Sequence, residues 1–352
     1  MQLLIKNGRV WDGEGFFYAD VLTDGGIISR IGQDLICEGA YVFDAEGMTV
    51  SPGLVDCHMH MCGLSGPDYA IPTQIACFPF GVTVAADAGS SRGNEAFLEQ
   101  MAVKSVVFAG TKIEENHLDR EVTAARLARY GKKAVGIKLF YGATSGRVRD
   151  ITPLQETCAF ARQRGLKVTV HCNGSPTSML SIVETLAPGD ILTHIFHGGK
   201  NDCTENDFAA LRLAREKGVI LDAGFAGHVH TDFRVLETAV KAGFLPDCIG
   251  TDITSNSAYM RGGRYGMTMS MSMARTAGMA EEDIFRAVTV APAKALGTNW
   301  GRLQVGGPAD IAVFDYGSEG FRLTDRAGNT LENTQGYRCK LTVADGTIVF
   351  KD

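Results

Sequence analysis

The segment LVDCHMH at residues 54–60 begins as an apolar run and ends in two histidines one residue apart. Residues two apart on a strand share a face, so His58 and His60 aim their imidazoles the same way. Seven further short apolar runs follow: VTVAADAG (82–89), SVVFAG (105–110), VGIKLFY (135–141), KVTVHC (167–172), DILTHIF (190–196), VILDAG (219–224) and DCIGTDI (247–253). Between them lie amphipathic stretches such as REVTAARLARYG, PLQETCAFARQRG and TENDFAALRLAREKG, each ending in the glycine that commonly closes a helix. Apolar strands alternating with helices predict a parallel sheet buried on both faces. Eight such units predict an α/β fold of the (β/α)8 TIM-barrel type.

The two ends of the chain read differently. LLIKNGRVWD, YADVLTDGGIISRIG and YVFDAEGMTVSP near the start, and ADIAVFDY, YRCKLTVADG and TIVFKD near the end, alternate apolar and polar residues and break at Gly or Asp. They predict a small β-sandwich domain assembled from both termini, residues 1–50 and 302–352, beside a barrel spanning 51–301.

With 352 residues, 45% of them hydrophobic, the chain can bury a core that needs no disulfides. Its nine cysteines (37, 57, 62, 77, 158, 172, 203, 248, 339) form an odd set without a CxxC pair, which predicts free thiols in a reducing compartment. The opening MQLLIKNG reaches Lys6 too soon for a signal peptide, and no later run has the length of a membrane span. A cytoplasmic protein is expected. A net charge of −6 with no basic run argues against nucleic acid and anionic membranes as partners and leaves a small-molecule substrate. Homo-oligomeric assembly stays open.

Polar residues in the strands gather toward one end of each. His58 and His60 close the first strand, Lys138 lies near the end of the fourth, and His171 near the end of the fifth. His194 sits in the later part of the sixth and Asp252 at the end of the eighth. A barrel collects the C-terminal ends of its strands on one face, where active sites form. Taken singly, a barrel-strand His is more often a hydrogen-bonded core residue, and Asp252 could simply cap the next loop. Lys138 is harder to dismiss, because an unpaired charge inside an apolar strand costs several kcal/mol. Burial lowers a lysine pKa and leaves a neutral amine, which can add carbon dioxide to become a carbamate able to bridge two cations. Together the six residues point to a site for two divalent metals.

These motifs resemble the amidohydrolase superfamily over nearly the whole chain. SPGLVDCHMH is similar to its PG-hydrophobic-D-x-HxH opening, and GIKLF, VTVHCNG, ILTHIFHG and CIGTDI to its carboxylated-Lys, His, His and Asp motifs. TVAPAKALG and GRLQVGGPADIAVFD resemble the segments that end such barrels. DAGSSRG, GDILTHIFHGGKN and the GHVHTDF region look closest to the dihydroorotase-like deacetylases of N-acyl-D-amino acids and acetylated hydroxy acids. The resemblance implies that His58 and His60 hold the more buried metal, His171 and His194 the other, and carboxylated Lys138 bridges both. Asp252 then both ligates and moves protons. Imidazole ligands favour zinc, with manganese or iron as alternatives. The expected activity is hydrolysis of an amide or ester bond of a small N-acyl or O-acyl acid by a metal-bridging hydroxide, with Asp252 as proton shuttle.

Departures from the family pattern narrow the activity. Met61-Cys62 stands where dihydroorotases carry an Arg soon after HxH, which disfavours dihydroorotase and leaves a hydantoinase-like cyclic amidase as the alternative. His171 is followed by Cys-Asn-Gly and not by the HxxE of the deaminases. A non-catalytic scaffold is disfavoured because all six ligand positions are filled. For the substrate carboxylate, Arg147 in the loop after the fourth strand is the first candidate, ahead of Arg261 and Arg264 in YMRGGRYGM, with a solvated loop charge as the ordinary reading. His197 and His228 are the other substrate-facing candidates. GHVHTDF places His228 and His230 where the deacetylase branch reads roughly GHG-x-x-SF. MTMSMSMA (267–274) is read as the packed start of a helix, His117 as a surface loop residue, and Cys57 and Cys172 as inert thiols facing away from the histidines.

Overall fold

The computed structural model describes residues 2–142, 146–227, 229–259, 265–317 and 320–352. Alternating residues at the start form β1 (Gln2–Trp11), β2 (Phe16–Asp24) and β3 (Ile27–Gly32), joined antiparallel, with β4 (Tyr41–Asp44) and β5 (Thr49–Pro52) running parallel to β1. The middle of the chain contributes β6 (Leu54–Met59), β7 (Val82–Ser90) and β8 (Lys104–Gly110), followed by a small ribbon of β9 (Ile113–Glu114) and β10 (His117–Leu118). Next come β11 (Ala134–Phe140), β12 (Lys167–His171), β13 (Ile191–Thr193) and β14 (Ile220–Asp222). The C-terminal part adds β15 (Ile311–Tyr316), the ribbon β16 (Phe321–Thr324) and β17 (Thr330–Asn333), then β18 (Tyr337–Ala344) and β19 (Thr347–Lys351).

Strands from both termini form one eight-stranded sheet in the order β19-β18-β15-β5-β1-β2-β3, with β4 beside β1. The two ends meet where β15 pairs antiparallel with β5, Val313 opposite Val50. Leu3, Ile5, Val21, Ile311, Val313 and Leu341 bury their side chains in a core of this sheet's own, to which both termini contribute. The sheet is fastened to the barrel by Trp11, which donates to Thr289 Oγ1 at 3.1 Å, and by the Arg9–Glu281 ion pair at 2.9 Å.

Seven parallel strands form the barrel wall in the order β14-β13-β12-β11-β8-β7-β6. Every residue of β6 is buried, which explains why its sequence is apolar without alternation. The eighth expected strand, 247–253, closes the gap without becoming a regular strand. It bridges β14 through Asp222 and Cys248 and β6 through Met59 and Ile253, with the amide of Asp252 donating to His58 O at 2.6 Å. Two features keep it irregular. Asp252 has φ 48°, in the left-handed region, and Gly250 lies so close that a Cβ there would come within 2.6 Å of His58 Cβ. The sixth expected strand likewise stops at Thr193, because His194 has φ 67°.

Inside the barrel, Val55, Cys57, Val84, Ala86, Val106, Phe108, Ile191 and Cys248 form a buried cluster closed by Ala293, Ala295 and Leu296. Cys57 was expected to face outward, but the β6–β7 register shifts between Asp56 and Met59, and its thiol sits 3.8 Å from Asp222 Oδ1. MTMSMSMA opens the helix Met267–Thr276 as expected, with Met267, Met271 and Met273 fully buried. The ribbon β16–β17 stays outside the eight-stranded sheet. Its turn packs on the barrel, where Asp325 accepts from the Phe233 amide at 2.8 Å at the start of the helix Phe233–Lys241. Among the described residues no helix is long and apolar enough to cross a membrane.

Candidate active site and metal centre

At the C-terminal ends of the barrel strands, five of the expected side chains converge around the sixth, the carboxylate of Asp252. Asp252 Oδ1 lies 2.9 Å from His60 Nε2 and 3.4 Å from His58 Nε2. Its other oxygen lies 3.9 Å from His194 Nε2. Lys138 Nζ is 3.2 Å from His58 Nε2, and the His171 and His194 rings meet edge-on with centroids 4.4 Å apart. The left-handed backbone at His194 and Asp252, worth of order 1–3 kcal/mol of strain each, turns both side chains into this space instead of along the strand.

Each imidazole is held from behind. His58 Nδ1 pairs with Asp222 Oδ2 at 3.0 Å and Thr193 Oγ1 at 2.8 Å. Asp222 is itself fixed by the Thr193 hydroxyl at 2.6 Å and the Gly250 amide at 2.8 Å. His60 Nδ1 meets Ser65 Oγ at 3.1 Å, and Ser65 in turn donates to Asp87. His194 Nδ1 lies 2.6 Å from Gly224 O, and His171 Nε2 lies 3.0 Å from Asn173 O. One ring nitrogen bound to an outer acceptor fixes the tautomer and leaves the other nitrogen's lone pair facing inward, the arrangement of metal-bound histidine.

Protonation follows from burial. Desolvation brings the Lys138 ammonium down to about 8, although Asp252 and Asp222 pull the other way. It also holds His171 and His194 well below the usual imidazole range, helped by the neighbouring His230. Burial acts to raise Asp252, but His58 and His60 outweigh it and keep the carboxylate well below its ordinary value. The centre therefore offers neutral imidazoles at His171 and His194, an ionised carboxylate at Asp252 and an amine at Lys138 that gives up its proton readily. Two donor groups, His58-His194-Asp252 and His171-His194-His230, each place their ligand atoms within 4.8 Å of one another. Such nitrogen-rich clusters, one of three imidazoles and one of two imidazoles with a carboxylate, fit a divalent ion of the zinc kind.

The cavity above the centre has a volume of about 420 Å³ and is lined by all six residues. Exposed Tyr69 and Phe140 line it as well, Tyr69 edge-on to His60 and Phe140 with its ring 4.2 Å from that of His171. Ala88, Gly89 and Gly110 leave the wall beside Lys138 without bulky side chains, and a Cβ on Gly110 would strike Gly89 O at 2.6 Å. In that wall stands Arg126, from the helix Arg120–Ala128, its Nη1 donating to Gly110 O at 3.0 Å and Thr111 O at 2.9 Å.

The substrate-facing candidates fare unevenly. Arg147 is exposed after β11 and is not among the described residues that line the cavity. His197 is buried beside the site, yet it lines a neighbouring cavity with Asn173, His230 and Arg326 and not the main one. His228, Arg261 and Arg264 lie outside the described residues. Met61 is fully buried in the core, so no cation replaces the dihydroorotase Arg at that position. His117 pairs with Glu156 at the surface as expected, although it belongs to the short strand β10 and not to a loop. Two further residues of the site carry little signal in the sequence. His230 enters the centre, with its second imidazole in GHVHTDF as the only signal, and Arg126 reaches the cavity from a helix that reads as merely amphipathic.

Comparison with known proteins agrees with this geometry. The amidohydrolase family profile matches residues 49–349. A deacetylase of Enterococcus faecalis is 28% identical over 98% of both chains, and a deacetylase of Brucella anthropi is 27% identical over 90% of this chain and 85% of that one. The crystal structure of a dihydroorotase superposes over 100% of this chain and 98% of the other, with a TM-score of 0.86 at 25% identity. The chain belongs to the amidohydrolase family and is a hydrolase of C–N bonds that depends on divalent metal.

Proposed function

We propose that this enzyme removes the acyl group from a small N-acyl or O-acyl acid, using two divalent ions held by His58, His60, Lys138, His171, His194 and Asp252. The observation that carries the proposal is the placement of Asp252, whose two oxygens face different histidine pairs and so reach both halves of the centre. Zinc suits this imidazole-rich set. Lys138 would hold its share as a carbamate: the neutral amine adds carbon dioxide, loses a proton, and becomes an anionic bridge. When bound, the ions lower the pKa of water and polarise the scissile carbonyl.

The chain supplies the rest. Asp252 accepts a proton as the acyl carbon is attacked and delivers it to the departing nitrogen or oxygen. Arg126 takes the role first given to Arg147: its guanidinium, clamped by two backbone carbonyls, offers its remaining N–H groups to the substrate carboxylate. Tyr69 and Phe140 border the apolar part of the substrate. The deacetylase relatives and the buried Met61 favour an acyclic acylated acid over a cyclic imide. The nine thiols, all free in the structure, suit a reducing, cytoplasmic setting. A screen of N-acetyl-D-, N-acetyl-L- and O-acetyl acids beside hydantoins and dihydroorotate tests the proposal. At least one acylated acid should be turned over faster than every cyclic amide, and the reverse ranking would establish the cyclic amidase instead.

A further inference from the structure

Among the described residues, the six expected ligands leave one further imidazole in the centre, that of His230, without a role. His230 comes from the loop after β14, yet its Nε2 lies 3.7 Å from Asp252 Oδ2, slightly nearer than His194 Nε2 at 3.9 Å. Its ring stands at 90° to His171 with centroids 5.0 Å apart, and 4.4 Å from the His194 ring. The three rings thus surround one point, with their donor atoms within 4.8 Å of each other. His230 is not there by loop wandering. Ala226 N donates to Thr251 O at 2.8 Å and Asp232 N to Phe196 O at 2.9 Å, so both ends of its turn are tied to the barrel. Asn329, from the β16–β17 turn, adds a contact to Asp232 at 3.3 Å.

Asn173 orients two of these rings at once. Its backbone oxygen takes His171 Nε2 at 3.0 Å, and its side-chain amide lies 2.7 Å from His230 Nδ1. An asparagine amide presents either oxygen or nitrogen to such a point after a half-turn about its last bond. With the oxygen toward His230, Nδ1–H donates to it and Nε2 faces the centre as a lone pair, the same outward-anchored geometry seen at His58 and His194.

We propose that His230 is a third imidazole ligand of the metal position formed with His171 and His194. The proposal rests on the binuclear reading above and adds a ligand that the six-residue motif set does not contain. Three neutral imidazoles hold a divalent ion more firmly than two, so this position becomes a tightly retained one.

The test uses the full-length enzyme reconstituted with cobalt or zinc. Wild type should retain two metals per chain. His230→Ala and His230→Asn should release one of the two at a chelator concentration more than about 10–100-fold lower, the range expected for losing even a supporting partner. The cobalt visible spectrum of that position should change, and Asn173→Ala should shift metal retention in the same direction by less. Equal metal retention and an unchanged cobalt spectrum in folded His230 variants, with only KM altered, would overturn the proposal and make His230 a substrate contact. Wild type that takes up no metal would instead bring down the binuclear reading and the proposal with it.

Discussion

Replacing Arg126 by Met isolates the recognition of the substrate carboxylate. Met keeps much of the length and apolar stem but removes the charge and the donors. Because Gly110 O and Thr111 O accept only from Nη1, the rest of the guanidinium remains for the ligand, and the glycine-lined wall gives a carboxylate room to reach it. Truncating one side of a buried charge pair costs roughly 2–5 kcal/mol. Arg126 is only half-buried, so solvent screening moves the expectation to the lower end, about 2–3 kcal/mol. At 1.4 kcal/mol per tenfold, this is roughly a 30- to 150-fold loss in kcat/KM. The assay compares an acylated acid with its carboxamide twin in wild type, Arg126→Met and Arg126→Lys. The acid should lose the stated factor, chiefly in KM, the carboxamide should change by only a few fold, and Lys should restore part of the loss as a point charge. Equal losses on both substrates would mean that Arg126 only props the loop after β8. Unchanged turnover of the acid would remove it from recognition and return the role to Arg147, Arg261 or Arg264.

Asp252→Asn should lower kcat by about 10²–10⁴ while much of the metal stays bound, and near-normal turnover in a metal-loaded variant would refute the proton shuttle. Lys138→Ala should lose both activity and metal and recover part of each in added short carboxylates, whereas mass measurement of a free amine in the active, fully metallated enzyme would exclude the carbamate. Asp222→Asn, which weakens the hydrogen bond behind His58, should reduce metal affinity by about 10–100-fold in a chelator titration, and an unchanged affinity would show that Thr193 alone orients the ring.

What was legible in the chain was whatever the barrel repeats enforce. His58, His60, Lys138 and His171 lie on β6, at its end, or on β11 and β12, and a strand's position in a closed parallel barrel places the side chain at its end without further information. His194 and Asp252 were legible as residues but not as conformations. Both adopt positive φ, which ends β13 early and leaves the eighth segment a series of bridges, and propensity carries no signal for a strained non-glycine residue held by its surroundings.

The substrate-binding part is less legible for a different reason. Arg147 follows the Lys138 strand, but position along a loop does not determine which way its side chains face, and Arg147 is exposed. Arg126 lies 16 residues after Gly110 in sequence, on a helix face where an Arg ordinarily meets solvent, and only the carbonyls exposed at the end of β8 draw it back over the cavity. His230 depends on contacts still more distant, since Asn173 and the β16–β17 turn that steady it lie 57 and 97 positions from their partners. Periodicity encodes which residues share a face within an element. It does not encode which loops from different elements meet over the mouth, and those meetings decide what this catalytic centre accepts.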